Sequence, residues 1–358
     1  MSLPARLVAL GWDEPFAHDF HQYAAASLVA ARVVAEHQHI YRVSTAEADV
    51  LARVAGRARH RWRTREEFPA VGDWVAIRLD PRLAAGSGSP PHPRPTAPDA
   101  TPLIEGVLPR RSRFSRKVAG RVREEQVVAA NVDTVFLVSG LDHDFNLRRI
   151  ERYLVTASAG GAAPVIVLNK ADVCDDVDAR QRDVKAIAPG VPVVIASARR
   201  GDGFDDLRAH VQPRRTIAFL GSSGVGKSSL INALLGEDRQ LTREVRASDQ
   251  RGRHATTHRE LIVMPGGGLL IDTPGMRELH LWEHDGALDA AFPDIDALAA
   301  DCHFTDCTHD REPRCAVKQA VAEGRLPAVR LEQYRKLRRE LKALRSGRGT
   351  AGRGYNQP

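Results

Sequence analysis

The sequence predicts a multidomain protein in three parts: a small N-terminal β-barrel, a central α/β domain of the phosphate-loop class, and a C-terminal α-rich domain around a metal site. Three observations carry this reading. Residues 31–118 contain short alternating stretches (Ala31–Ala35, Ile40–Val43, Val71–Ile77, Gly106–Leu108) separated by turn residues, as in a small barrel. Residues 119–280 contain near-continuous apolar runs at Val132–Val138, Ala163–Leu168, Pro192–Ala196, Thr216–Leu220 and Gly268–Asp272, as in parallel strands buried on both faces. From residue 281 to 358 the composition turns to Cys, His and Asp, followed by a basic amphipathic helix near Leu331–Arg345.

The remaining segments fit around these parts. Residues 1–30 read as a short, partly helical lead. The run Ala85-Gly-Ser-Gly-Ser-Pro-Pro-His-Pro-Arg-Pro95 interrupts the barrel and has no means of packing. With 43% hydrophobic residues in 358, the chain has enough apolar material for several cores, yet no apolar run of about 18 residues suggests a membrane span. The patch Leu7–Leu10 is too short for a signal peptide, and three of the four cysteines cluster in 302–315 rather than forming a disulfide framework. A cytoplasmic protein is expected. The net charge of +7 suggests a polyanionic partner, although an arginine-rich composition gives the same number.

The chemistry lies in three motifs. Gly221, Ser222, Ser223, Gly224, Val225, Gly226, Lys227, Ser228 and Ser229 follow the strand Thr216–Leu220 and precede a helical run. Strand, glycine loop and helix form the context of a phosphate-binding loop, in which Lys227 reaches the β- and γ-phosphates and Ser228 ligates Mg²⁺. Asn169-Lys170-Ala171-Asp172 closes the strand Val165–Leu168. A carboxylate at Asp172 can accept from guanine N1–H and the 2-amino group, whereas adenine offers it neither. Lys170 is expected under the base, Asn169 as a tie to the phosphate loop, and Ser197-Ala198 as the second base-contacting loop. Asp272-Thr-Pro-Gly275 ends another buried strand, with Asp272 in the Mg²⁺ shell and Gly275 facing the γ-phosphate. In an ordinary GTPase the base-reading motif follows the other two. Here it precedes them, so the order indicates a circularly permuted GTPase.

The loop Gly252-Arg-His254-Ala-Thr256-Thr257 lies where a nucleotide-sensing switch belongs. One threonine should bind Mg²⁺; Thr257 is favoured over Thr256. The position that often carries a water-orienting glutamine is Met276, which cannot do this. His254 is then the nearest polar candidate by sequence, alongside Lys227 and Thr257 in the catalytic set.

Cys302-x₄-Cys307-x-His309-x₅-Cys315 supplies three thiolates and an imidazole within fourteen residues, the count and softness of a closed structural Zn²⁺ site. His303, Asp306 and Asp310 are local competitors, and Cys174 stands apart as an inert small residue. Three basic runs point to RNA. In Arg57–Arg65 every second residue is arginine, which a strand would place on one face. A second cluster comprises Arg110, Arg111, Arg113, Arg116, Lys117, Arg121 and Arg123. The third surrounds the C-terminal helix, at Arg335, Lys336, Arg338, Arg339, Lys342 and Arg345.

With these residues in place, the chain resembles the ribosome small subunit-dependent GTPase A family of circularly permuted bacterial GTPases. The resemblance runs from about Ala31 to Leu344. It rests on Val71-Gly-Asp73, Ala129-Ala-Asn131-Val-Asp133, the three nucleotide motifs, Gly252-x-His254 and the Cys–His set. It implies an N-terminal OB-fold, a permuted G domain and a zinc domain with one structural Zn²⁺, with Mg²⁺ accompanying GTP. It also implies binding to the 30S subunit and its 16S rRNA late in assembly, GTP hydrolysis stimulated by the subunit, and a role for His254 in that hydrolysis. A monomer that binds GTP and GDP, without membrane association, is expected. Two departures stand out: Ala255 occupies a position where members often carry threonine, and residues 85–102 look inserted. The rival readings are a phosphate-loop ATPase or kinase acting on a small molecule, against which Asp172 argues, and an RNA-binding scaffold with a structural nucleotide site.

Overall fold

The structure, a computed structural model, describes residues 3–24, 26–37, 39–79, 101–117, 125–236, 259–272 and 287–345. The lead forms two helices, α1 (Ala5–Ala9) and α2 (Glu14–Ala24). Apolar residues of these helices and of the link between them, Leu7, Leu10, Trp12 and Phe16, are buried, and Trp12 meets Trp74 edge-on at 4.6 Å. The lead is therefore part of the core.

Strands β1 (Val29–His37), β2 (Ile40–Ser44), β3 (Asp49–Val54), β4 (Trp74–Arg78) and β5 (Leu103–Val107) pair in the order β1-β2-β3-β5-β4, and β1 also pairs with β4 to close a barrel. This is the five-stranded barrel of an OB-fold, with helix α3 (Gly56–Arg61) between β3 and β4. Alternating side chains fill it: Ala31, Val33, Tyr41, Val43, Ala52, Val75, Ile77 and Ile104. Strand β3 is an addition to the sequence reading, although Val50, Ala52 and Val54 do alternate inward. Gly72 stands at φ +94°, where a Cβ would lie 2.1 Å from the Ala130 carbonyl, so the barrel can approach the next domain only through glycine here. Beside it, buried Asp73 pairs with Arg110 at 2.7 Å.

One expectation needs correction. The alternating arginines do not form a strand: Arg57, Arg59 and Arg61 lie on α3, and a 3₁₀ turn follows at Arg65–Glu67, capped reciprocally by Thr64 and Glu67. No apolar alternation accompanied the arginines, and a strand needs that more than it needs periodic charge. On the helix, Ala58 faces inward, while Arg57 and Arg61, one turn apart, both reach Glu105. Trp62 is half-buried against Phe68.

A two-stranded sheet, β6 (Arg113–Lys117) with β7 (Glu125–Ala130), leads into the α/β domain. There β8 (Thr134–Gly140), β9 (Ala163–Asn169), β10 (Val193–Ile195), β11 (Thr216–Leu220), β12 (Arg259–Val263) and β13 (Leu269–Asp272) take the order β10-β9-β8-β11-β13-β12. All neighbours are parallel except the β13–β12 pair. Strand β12 also pairs antiparallel with β1 through Ala35–Glu260 and Glu36–Arg259, so the barrel and the α/β sheet are continuous. Helices α4 (Leu147–Gly160), α5 (Val177–Ile187), α6 (Phe204–Ala209) and α7 (Lys227–Leu235) cover the sheet.

The C-terminal part comprises α8 (Ala287–Ala291), α9 (Pro293–Ala299), α10 (Ala316–Ala322) and α11 (Ala328–Arg345). Helix α11 starts one turn before the expected Leu331. Its stripe of Leu331, Tyr334 and Leu337 is buried with Phe292, Ile295 and Val317 against Val155 of α4. Arg330 is buried on the same helix, paired with Asp294 at 3.0 Å and donating to the Ile187 carbonyl at 2.7 Å. Among the described residues no helix is long and apolar enough to cross a membrane.

Candidate functional site

The nucleotide motifs meet at the carboxyl ends of the parallel strands, where open α/β sheets place their ligand sites. Strand β11 runs into the loop Gly221–Gly226, and α7 begins at Lys227. Gly224 (φ +82°) and Gly226 (φ +94°) give the loop its left-handed turns. Lys227 Nζ donates to the carbonyls of Gly221 and Ser222, both at 2.6 Å. Ser223 and Gly224 are exposed, Val225 is buried beneath them, and Ser228 and Ser229 lie half-buried in the first turn of α7. Asp272 ends β13, beside β11, on the same edge of the sheet.

The base loop sits against this one. Asn169 is 1% exposed; its Nδ2 donates to the Val225 carbonyl at 2.8 Å, and its Oδ1 accepts from the Ala198 N–H at 3.0 Å. One buried amide thus joins the phosphate loop to both base-side loops. Gly226 completes the fit, since a Cβ there would stand 2.2 Å from Asn169 Nδ2. Ser197 Oγ donates to Asp172 Oδ1 at 2.6 Å, and that hydrogen bond holds the Asp172 carboxyl below its ordinary range, keeping it an acceptor. Lys170 stands at φ +64° and pairs with Asp142 at 2.6 Å. Burial acts to raise the Asp142 pKa, but hydrogen bonds from Lys170 and the Asp144 N–H outweigh it and lower it.

Sequence reasoning missed Asp142, Asp144 and Arg149. Asp142 and Asp144 lie on the turn from β8 into α4, and Arg149 in the first turn of that helix, a stretch that belongs to no named motif; the signal available was an acidic turn directly after a buried strand. Asp144 pairs with Arg149 at 2.5 Å, and both contact Ser222 Oγ at 3.0 Å. His254, Thr256, Thr257, Gly275 and Met276 lie outside the described residues.

A second cluster lies within residues 302–315. The ligating atoms of Cys302, Cys307, His309 and Cys315 all lie within 4.8 Å of one another. Cys302 and Cys315 sulfurs are 3.8 Å apart, close to the edge of about 3.8 Å that Zn–S bonds of ~2.3 Å give a tetrahedron. His309 Nδ1 is 3.4 Å from the Cys315 sulfur and 3.6 Å from that of Cys302. No disulfide joins these cysteines. Burial lowers the His309 pKa and favours the neutral imidazole that a metal takes. Burial, with hydrogen bonding to Cys315 and Cys302, pushes Cys307 up to about 11; a bound cation reverses this, because a coordinating thiol is deprotonated. Arg338 donates to the Cys307 carbonyl at 2.9 Å and Arg335 to that of His309, bracing the ligand loop from α11. The set fits one metal ion, with no fifth position needed.

The basic clusters are more occupied than their sequence suggests. Arg110 pairs with Asp73, Arg111 with Asp13 and Arg113 with Glu66, while Arg116 donates to Gln126. The three carboxylate partners are distant in sequence, which hid the neutralisation. Arg121 and Arg123 lie outside the described residues.

The model of the RsgA GTPase family matches residues 107–282. The chain is 50% identical over 336 residues to the small ribosomal subunit biogenesis GTPase RsgA of Opitutus terrae, covering 93% of this chain and 89% of that one. It is 42% identical to the protein of that name from Syntrophotalea carbinolica, over 93% and 88% of the two chains. Among solved structures it resembles YjeQ from Thermotoga maritima (TM-score 0.64, 28% identity, 88% of this chain and 99% of that one). It also resembles YloQ, described as a circularly permuted GTPase (TM-score 0.62, 25% identity, 88% and 96%). Half-identity sustained over 93% of the chain is far more than a shared fold requires: the chain belongs to the RsgA GTPase family and is a circularly permuted GTP hydrolase.

Proposed function

We propose that this GTPase acts in late maturation of the small ribosomal subunit in the cytoplasm, as a monomer that binds the 30S particle and its 16S rRNA with GTP and leaves after hydrolysis, which the particle stimulates. The observation that carries the reading is the Asn169 amide, which joins the base and phosphate loops into one site. The curated relatives bear the name of a small-subunit biogenesis GTPase. Asp172 accepts from guanine, Lys170 covers the base, and Ser197 and Ala198 close the base side. The amides of Gly221–Ser229 and Lys227 hold the phosphates. Ser228, Asp272 and Thr257 would hold Mg²⁺, which would supply charge neutralisation at the phosphates. Gly275 faces the γ-phosphate, and His254 orients the attacking water. Cys302, Cys307, His309 and Cys315 hold one structural Zn²⁺.

The continuity of the sheet supports a gating role. The barrel strand β1 pairs with Arg259 and Glu260, two and three residues past Thr257, and ion pairs Glu36–Arg259 and Arg42–Glu260 reinforce that contact. The chain enters the metal-binding part a few residues after Gly275. Ordering of the two switches by γ-phosphate then acts on the barrel at one end and the metal domain at the other.

Sedimentation with purified 30S and 50S subunits tests this. Co-migration with 30S is expected with a non-hydrolysable GTP analogue and should weaken with GDP; equal binding to both subunits in either state overturns the reading. In single-turnover hydrolysis with and without 30S, His254→Ala should lose most of the stimulated rate while the rate without 30S changes little. Undiminished stimulation removes His254 from the water-positioning role.

A further inference from the structure

Asp144, Arg149 and Ser222 form a closed hydrogen-bonded ring under the start of the phosphate loop. Arg149 Nη1 donates to Asp144 Oδ2 at 2.5 Å and to Ser222 Oγ at 3.0 Å, and Ser222 Oγ donates to Asp144 Oδ2 at 3.0 Å. The ring is pre-set by the helix that carries it: Asn146 caps α4, its side chain accepting from the Arg149 N–H at 3.2 Å. The residue gripped by its side chain is also one of the two whose carbonyls hold Lys227 Nζ at 2.6 Å.

We propose that Arg149, fixed by Asp144, is a positioning residue for Lys227, acting through Ser222 on phosphoryl transfer. The inference rests on the reading that Lys227 faces the transferred phosphate. An ammonium in that place has to stay on its carbonyl partners while it meets charge developing on the phosphoryl group. The Ser222 carbonyl sets one of its contacts, and the ring sets Ser222. The Arg149 charge is offset by the carboxylate beside it: hydrogen bonding from Arg149 is the main cause that lowers the Asp144 pKa. The guanidinium is thus suited to holding geometry rather than supplying net charge to the ligand. Two residues earlier, Asp142 holds Lys170 of the base loop, so the turn 141–146 fastens both halves of the nucleotide site.

The test is single-turnover GTP hydrolysis across a range of GTP concentrations, with GDP dissociation constants and thermal melting, on the full chain. Arg149→Gln should lower the saturating single-turnover rate constant by about 10- to 100-fold, the scale of a misplacement of about 1 Å, while the half-saturating GTP concentration, GDP affinity and melting temperature move little. Ser222→Ala should show the same split, and the double variant should be no slower than the slower single one. Arg149→Lys should recover most of the rate, since an ammonium can still bridge carboxylate and hydroxyl. Additive losses in the double variant, a parallel loss of GDP affinity, or a wild-type rate in Arg149→Gln overturns the proposal. Lys227→Ala separates the two levels. If that variant hydrolyses GTP at the wild-type rate, the placement of Lys227 on the phosphates falls and the inference falls with it. If it is inactive while Arg149→Gln is normal, only the inference falls.

Discussion

The nucleotide end and the metal cluster are built in opposite ways. At the nucleotide end, contacts join residues far apart in sequence: Asn169 to Val225, and Asp144 to Ser222. Each loop hangs from a strand of one buried sheet, so its position follows from the sheet and not from a ligand. At the metal cluster, all four ligands come from fourteen consecutive residues between helices of seven residues, α9 and α10. Helices of that length do not persist alone in water. The cluster is a local structure whose four side chains could hold a metal ion, whereas the nucleotide loops are shaped in advance by a distant core.

The sharpest break between the two regions comes from removing the metal. Strong chelation, or Cys307→Ser, should unfold much of 288–326, since structural zinc supplies on the order of 10 kcal/mol to small domains. GDP affinity should change little. Hydrogen exchange read by segment, alongside GDP titration, checks this; parallel loss of both means that the regions are not separable. Next in size is Asp172→Asn, which places an amide donor against guanine donors. Two lost charge-assisted hydrogen bonds weaken GTP by about 4 kcal/mol, roughly 10³-fold, and xanthosine triphosphate should bind better than GTP. Unchanged preference would show that the base is read elsewhere.

Gly226→Ala tests the preformed loop. It forces a left-handed alanine and drives a Cβ into Asn169. Strain and the broken amide contact should weaken GDP by about 3 kcal/mol, with the melting temperature of the nucleotide-free protein falling by only a few degrees. A large fall in melting temperature would mean that the loop stabilises the sheet rather than the reverse.

The smallest effect lies where the regions touch. Glu151 of α4 is 3% exposed against the C-terminal core, and burial raises its pKa to about 7, with Arg330 and Arg148 opposing that shift. A carboxyl raised on folding favours the folded state while it is protonated. Its contribution is full below the unfolded value near 4.5 and is lost as pH rises through about 7, at most about 3 kcal/mol. Wild type should lose melting temperature between pH 5 and 8, and Glu151→Gln should flatten that slope. An identical slope in both removes Glu151 as the cause.

Much of the nucleotide site was legible because its chemistry is carried by short contiguous motifs: a glycine loop between strand and helix, and an asparagine and an aspartate closing an apolar run. The Cys–His set was legible for the same reason, since its ligands are neighbours in the chain. The arginine run was misread because charge periodicity alone does not select a strand; the burial of Ala58 and the two contacts to Glu105 turned it into a helix. The pairing of Arg110, Arg111 and Arg113 within the second basic cluster was not legible, because their carboxylate partners, Asp73, Asp13 and Glu66, lie 37 or more residues away.

By itself the sequence determined the fold class, the permuted order of the nucleotide motifs and a Cys–His set that could hold a metal ion. Each motif behind these depends on residue type and on spacing within about fifteen residues, and local backbone geometry follows from that. Only the tertiary structure decided that β1 joins the barrel to β12, that the lead helices enter the core, and that Asp144 and Arg149 lie under the phosphate loop. Each of these depends on which distant surfaces the buried sheet brings together. Apolar burial has no direction along the chain, so the pairings emerge only when the whole core is packed.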